Sequence, residues 1–278
     1  MRRIAFTLAV VFLALPAVTA QSQETQSVSP VSIPVATRTQ ADCTGFIAEP
    51  SVPRDLFVVG GADDDFHSVV RQFVEGESVF ISPRKGGDID VGAEYSVVRP
   101  AKELFQTLHY SGQGGDIRRV GKPYEDIAKV KVTHVNPQGA VAKILFSCQS
   151  IVPGDTLVPF QPRAIPEYTV SSPLDHFVPL DKNKKEGRII ASHNNFGFLG
   201  QENVVYLNIG DKDGARPGQR YRIYKVLARH STGFLTSQAT PPEIVGEAVV
   251  LTVQSRSSVA MIVSSYREIM TGDYAEAE

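Results

Sequence analysis

Ala128–Val158 reads AKVKVTHVNPQGAVAKILFSCQSIVPGDTLV, and Gly246–Glu276 reads GEAVVLTVQSRSSVAMIVSSYREIMTGDYAE. Laid over one another without gaps, the two stretches share Val132/Val250, Val135/Val253, Val141-Ala142/Val259-Ala260, Ile144/Ile262, Ser147/Ser265, Ile151/Ile269 and Gly154-Asp155/Gly272-Asp273. That is nine identities in 31 positions, where average composition gives roughly two. Upstream, a second offset aligns Val79-Phe80-Ile81 with Val205-Tyr206-Leu207, Gly92 with Gly218, Tyr95 with Tyr221 and Arg99 with Lys225. The change of offset gives the first copy eight extra residues between Arg99 and Ala128. Insertions fall in surface loops, so both copies carry a variable loop at this point. The chain is an internal duplication.

Each copy reads as short strands. Asn203–Ile209 is apolar and β-branched and is followed by the turn Gly210–Gly214. Pro217-Gly218 turns the chain into the alternating Arg220–Lys225. Glu247–Val253 and Ser258–Ser264 flank the polar turn Gln254–Ser257, and Gly272-Asp273 turns into a closing strand. Short, evenly spaced strands with polar turns describe a small antiparallel barrel or sandwich. The expected fold is therefore mainly β, two tandem small antiparallel β-barrel or sandwich modules with little helix. One helix is suggested by Phe66, Val69, Val70, Phe73 and Val74, with Gly76 as its C-cap; the same residues also fit a strand.

The remaining segments organise the chain. Met1-Arg2-Arg3, an apolar run from Ile4 to Leu15, Pro16, and small residues at Val18 and Ala20 have the pattern of a secretory signal peptide over residues 1–20, cleaved after Ala20. The apolar run is shorter than the roughly 20 residues that a bilayer span needs. The expectation is an exported, periplasmic or extracellular product with no membrane span in the mature chain. Residues 21–45 are rich in Gln, Ser, Thr and Pro and read as a flexible linker. The first module is expected over 46–160, a Pro-rich linker over 161–186 and the second module over 187–278. Loss of Arg2 and Arg3 leaves 26 basic and 30 acidic residues, a net charge of −4. Mild acidity without a basic cluster argues against nucleic acid and anionic lipid as partners. In an oxidising compartment the only cysteines, Cys43 and Cys148, most simply form one disulfide; two buried free thiols are the alternative. Closing so long a loop stabilises by about 4–5 kcal/mol on the chain-entropy account.

The series V-Y-L-N-I-G from Val205, a D-G turn at Asp213-Gly214, P-G-Q-R-Y-R-I-Y from Pro217, V-G-E-A-V-V from Val245, S-S-V-A-M-I-V from Ser257 and I-M-T-G-D from Ile269 resembles the C-terminal domain of flagellar assembly protein T. Similar modules occur in exported bacterial proteins that also carry LysM domains. The resemblance rests on Val205, Tyr206, Gly210, Gly214, Gly218, Tyr221, Gly246, Ala260, Gly272 and Asp273. It covers 187–275 well and 56–159 more loosely. It implies a fold and an envelope location rather than a chemistry. The chain lacks the other domains of the flagellar protein and has no LysM domain.

Catalytic patterns are sparse. Ser82-Pro83-Arg84-Lys85 has the S-x-x-K spacing of penicillin-recognising enzymes and Ser192-His193-Asn194 an S-x-N, but Pro83 and Gly86-Gly87 place it in a corner, where that mechanism needs a helix turn. Asp63-Asp64-Asp65 with His67 could hold a hard cation, or simply cap a helix as a solvated turn. The six histidines show no zinc spacing. No catalytic residue, metal or cofactor is assigned. The repeat's turn and core positions are Gly92, Tyr95, Gly154, Asp155, Gly218, Tyr221, Gly272 and Asp273. The two variable loops carry Phe105, His109, Tyr110, Tyr124, His230 and Phe234, which are the candidate partner contacts, with barrel capping as the competing role. The function expected is a non-enzymatic envelope protein that contacts peptidoglycan or an envelope protein assembly. An exported serine- or metal-dependent hydrolase and a small-ligand binding protein are the alternatives.

Overall fold

Strands form where β-branched residues alternate with polar ones, and they stop at glycines that take positive φ. Gly92 and Gly218 sit at φ +88° and +82°, Gly154 and Gly272 at +93° and +111°, the left-handed region that a side chain resists. The computed structural model describes residues 31–62, 72–84, 89–169, 176–177, 179, 184–226 and 242–278. The signal-peptide expectation, Asp63–Asp65, His67, Lys85, His230 and Phe234 lie outside the described residues.

The chain enters through β1 (Ser32–Pro34), α1 (Arg38–Asp42) and β2 (Phe46–Ala48). The first module then contributes β3 (Leu56–Gly61), β4 (Ser78–Pro83), β5 (Glu94–Pro100), the helix α2 (Gln113–Val120), β6 (Lys122–Asn136), β7 (Gly139–Ser147) and β8 (Thr156–Pro159). β9 (Glu167–Thr169) follows in the connecting segment. The second module contributes β10 (Glu186–Ser192), β11 (Phe198–Leu199), β12 (Val204–Leu207), β13 (Arg220–Lys225), β14 (Glu243–Val253), β15 (Ser258–Ser265), β16 (Ile269–Met270) and β17 (Tyr274–Ala277). Each module is a closed antiparallel barrel of six strands. The first runs β3-β4-β7-β6-β5-β8, with β2 added beside β6, and the second runs β10-β12-β15-β14-β13-β17. Closure removes the unpaired edges that an open sheet exposes.

The duplication extends to the register. Val79 faces Ala142 and Val205 faces Ala260; Val132 faces Ala142 and Val250 faces Ala260; Tyr95 faces Val130 and Tyr221 faces Ala248. Register shifts also recur, at Val58/Gly60 and Ile189/Ala191, and at Val97/Val98 and Ile223/Tyr224. Asp155 accepts from the Val152 amide and Asp273 from the Met270 amide, at 2.9 and 2.7 Å. Each carboxylate then meets the cation at the end of its module's β5-type strand, Arg99 at 2.7 Å or Lys225 at 3.8 Å. Val58, Ile81, Val97, Val130 and Ile144 fill the first barrel, and Ile189, Leu207, Ile223, Val250 and Ile262 the second.

Three expectations change. The linker expected over 21–45 is ordered in its described part: β1 pairs with β9, and Val35, Ala36 and Ala41 bury against Tyr168, Val249, Leu251 and Met261. Its apolar residues are few but land on an apolar barrel face, which composition alone does not disclose. The Pro-rich segment 161–186 likewise contains β9 and an anchoring Arg163. Phe66, Val69 and Val70 of the suggested helix lie outside the described residues; Phe73 is not helical but bridges Ile151 as the strand alternative allows, and Gly76 at φ +91° belongs to a turn whose counterpart is Glu202 at φ +68°. Among the described residues no helix is long and apolar enough to cross a membrane.

Candidate functional site

The insertion that distinguishes the first copy builds the seam between the barrels. After β5 the chain makes a 3-10 turn at Glu103–Phe105 and then α2, entered through Gly112 at φ +91°. Ile117 and Val120 on α2, with Leu104, Ala101 and Ile47, bury against Ile190, Tyr206 and Val259 on the outside of the second barrel. Gln113 is buried and donates to the Ile190 carbonyl at 3.0 Å. Tyr206 donates to the Thr44 carbonyl at 2.7 Å, and Ser257 to the Ile47 carbonyl at 2.7 Å. The entering segment, Val31–Ala48, is thus a strap against both barrels. Two links fasten it. Cys43 and Cys148 form a disulfide with Cα atoms 5.6 Å apart. Arg163 binds Asp126 at 2.6 and 2.9 Å and the Ala41 carbonyl at 3.0 Å, while Asp126 also accepts from the Gly45 amide at 2.8 Å.

A cavity of about 340 Å³ opens at this seam, lined by Arg99, Glu103, Glu125 and Gln149 from the first module and by His193, Asn195 and Tyr206 from the second. Burial, and then a hydrogen bond shared with Glu103, push the Glu125 carboxyl above the usual carboxylate range. Gln149 donates to Glu125 at 3.1 Å. Burial pushes the His193 imidazole down, although the Thr44 backbone and Asp126 oppose it. Asn195 sits at φ +54° and donates through Nδ2 to the Glu103 and Thr107 carbonyls at 3.0 and 3.2 Å. Its buried Oδ1 has no hydrogen-bond partner among the described residues. A smaller cavity of about 240 Å³ shares His193 and is bordered by Phe196. Phe196 and Phe198 are exposed.

This arrangement supplies open acceptors and a polar rim. Among the described residues, Ser192 donates to the Phe196 carbonyl at 3.0 Å and Ser82, outside the seam, to the Gln138 carbonyl at 3.5 Å. Among the described residues no group of three or more His, Cys, Asp or Glu is placed to hold a metal ion.

Four candidate partner contacts are turned inward. Tyr124 is buried, stacks on Phe46 and accepts from the Val52 amide at 3.1 Å. Tyr110 donates to Asp116 at 2.9 Å beneath the Arg188 guanidinium, His109 bonds the Asn195 carbonyl at 2.9 Å, and Phe105 lies under Arg118. They cap and join the barrels because the insertion folds back as α2. Tyr95 is half-buried against the first core, Tyr221 is buried in the second, and the repeat's glycines occupy its turns. Sequence reasoning missed Asp126, Arg163, Glu125, Asn195, Phe196 and Phe198. A signal was present for the last three in the run His193-Asn194-Asn195-Phe196-Gly197-Phe198, which departs from the strand pattern around it. No family model matches this chain, and no curated protein matches it.

Proposed function

We propose that this protein is exported and acts without catalysis in a bacterial envelope, as a two-barrel module that holds other envelope proteins. One observation carries the proposal: the second barrel already serves as a docking module, since its outer face at Ile190, Tyr206 and Val259 is closed over by an insertion from its neighbour. A fold whose outer walls are used for protein contact, with the strap and the connecting segment fastened to the first barrel by a disulfide and the Arg163–Asp126 pair, suits a brace better than a turnover site. The amino-terminal pattern and the resemblance to the C-terminal domain of flagellar assembly protein T support the envelope location. Cross-linking in the native envelope followed by capture of the tagged protein tests this. Recovery of a reproducible envelope protein partner is expected. Retention on isolated sacculi alone would redirect the role to peptidoglycan, and capture of neither would remove the proposal.

A second reading is favoured by the unpartnered Asn195 Oδ1 beside the Glu103–Glu125 pair. The seam cavity would take a small polar molecule rich in hydrogen-bond donors, such as an amine or a sugar. A ligand-dependent rise in melting temperature, lost in Asn195→Ala, checks it.

A further inference from the structure

Where the strap and β9 lie against the second barrel, a cavity of about 380 Å³ remains beside β15. Ile33, Pro34 and Val35 of the strap line one side of it, and Met261, Ile262 and Val263 of β15 line the other. Volume and lining are those of a small-molecule site, in which apolar walls meet a few convergent polar groups. The cavity shares no lining residue with the one at the seam.

The polar groups are Tyr168, Ser264 and Tyr266, and all three direct their hydroxyls at one carboxylate. Glu247 is fully buried, and its Oε2 accepts from Tyr168 at 3.2 Å, Ser264 at 3.1 Å and Tyr266 at 3.5 Å. Its Oε1 accepts from Arg220 at 2.8 Å, which offsets the cost of burying the charge. A hydroxyl whose proton goes to Glu247 keeps lone pairs, so these three oxygens offer a guest acceptors rather than donors. The duplication supplies a comparison. At the places of Glu247, Met261, Ser264 and Tyr266 the first copy has Lys129, Lys143, Phe146 and Cys148. The residues that build the cavity are peculiar to the second copy.

We propose that this cavity binds a small neutral amphiphile, a short aliphatic chain that ends in an uncharged hydrogen-bond donor such as an alcohol or a primary amide. The strap and β15 walls take the chain out of water, and the Tyr168, Ser264 and Tyr266 oxygens accept from the head. A carboxylate head would meet Glu247 and, at the exposed rim, Glu202, and the three hydroxyls have no proton left for it. An ammonium head would lose its water beside a carboxylate whose charge Arg220 already matches. The site stands independently of any envelope partner and of any ligand at the seam.

Ligand-observed NMR saturation transfer on the purified protein, titrated with 1-hexanol, hexanamide, hexanoate and hexylamine, tests the assignment, with circular dichroism as the check on folding of each variant. 1-Hexanol and hexanamide should bind saturably, and hexanoate and hexylamine at least about tenfold more weakly. Tyr266→Phe removes one acceptor and should weaken 1-hexanol binding by about fivefold. Val263→Phe fills the cavity and should abolish saturable binding. Failure of both neutral probes to saturate overturns the proposal, as does binding of hexanoate or hexylamine as tight as that of 1-hexanol. Unchanged 1-hexanol binding in Tyr266→Phe, or in a folded Val263→Phe, overturns it too.

Discussion

Asp155 and Asp273 occupy one position of the repeat in two electrostatic settings, so the same substitution in each should cost different amounts. Both accept a turn amide, from Val152 and Met270, and asparagine keeps an oxygen for that bond. Asp155 additionally binds the Nε and Nη2 of Arg99 at 2.8 and 2.7 Å while only 3% of its side chain is exposed. Breaking a well-formed buried pair costs about 3–5 kcal/mol. Arg99 is 30% exposed and keeps its bond to the Ser150 carbonyl, so about 2–3 kcal/mol is expected for Asp155→Asn. Lys225 stands 3.8 Å from Asp273, beyond hydrogen-bonding distance, and burial holds the Asp273 carboxyl above its ordinary range despite the Met270 amide and Lys225. Asp273→Asn removes a charge that the fold does not favour and should cost less than about 0.5 kcal/mol. At about 2–4 °C per kcal/mol for a chain of this size, thermal denaturation at neutral pH should show a loss of about 4–12 °C for Asp155→Asn and under about 2 °C for Asp273→Asn. Equal losses, or a larger loss at Asp273, would refute the assignment of the difference to the cation's geometry.

Replacing Cys43 and Cys148 together by alanine opens a link across a separation of 105 residues and should lower stability by about 4–5 kcal/mol, read as a lower urea midpoint. Gly45→Ala should cost at least about 2 kcal/mol, because Gly45 has φ +66° and a Cβ there would lie 2.7 Å from both the Tyr124 carbonyl and the Tyr206 hydroxyl; the melting temperature checks it. The folded pKa of Glu125 is raised, so the folded state keeps a proton that the unfolded chain has lost, and stability falls as pH rises from the ordinary carboxylate value through the folded one. Glu125→Gln should flatten that limb of a stability–pH profile. His193 has the opposite sign: its lowered folded pKa gives a contribution that is complete above the ordinary imidazole value and lost as pH falls. His193→Gln should therefore reduce the loss of stability on acidification.

Much of the fold is written locally. Alternation of apolar and polar residues has the strand's own period, and a turn at positive φ calls for glycine, so the Val132/Val250 and Gly154/Gly272 correspondences carry the strands and their boundaries wherever they occur. The Asp155 and Asp273 turns are legible for the same reason, since each carboxylate caps a backbone amide three residues away. The seam is different. Glu125 is an ordinary strand residue until Glu103 is brought near it, and Asp126 and Arg163 become a pair only where both also bond the strap, through the Gly45 amide and the Ala41 carbonyl.

The sequence by itself determined that this protein is a duplicated β module, because periodicity, turn chemistry and internal similarity depend on neighbours along the chain; that Cys43 and Cys148 are bonded was an expectation until the structure brought them together. Only the tertiary structure decided that the two modules close into barrels of one register, that the polar entry segment is a strap, and that Phe105, His109, Tyr110 and Tyr124 pack against neighbouring side chains and backbone. Phe80 and Tyr206 make the point: they share a place in the repeat, yet one is 42% exposed and the other 3%. Burial of an outer wall depends on what the rest of the chain lays over it, and that is not encoded at the residue itself.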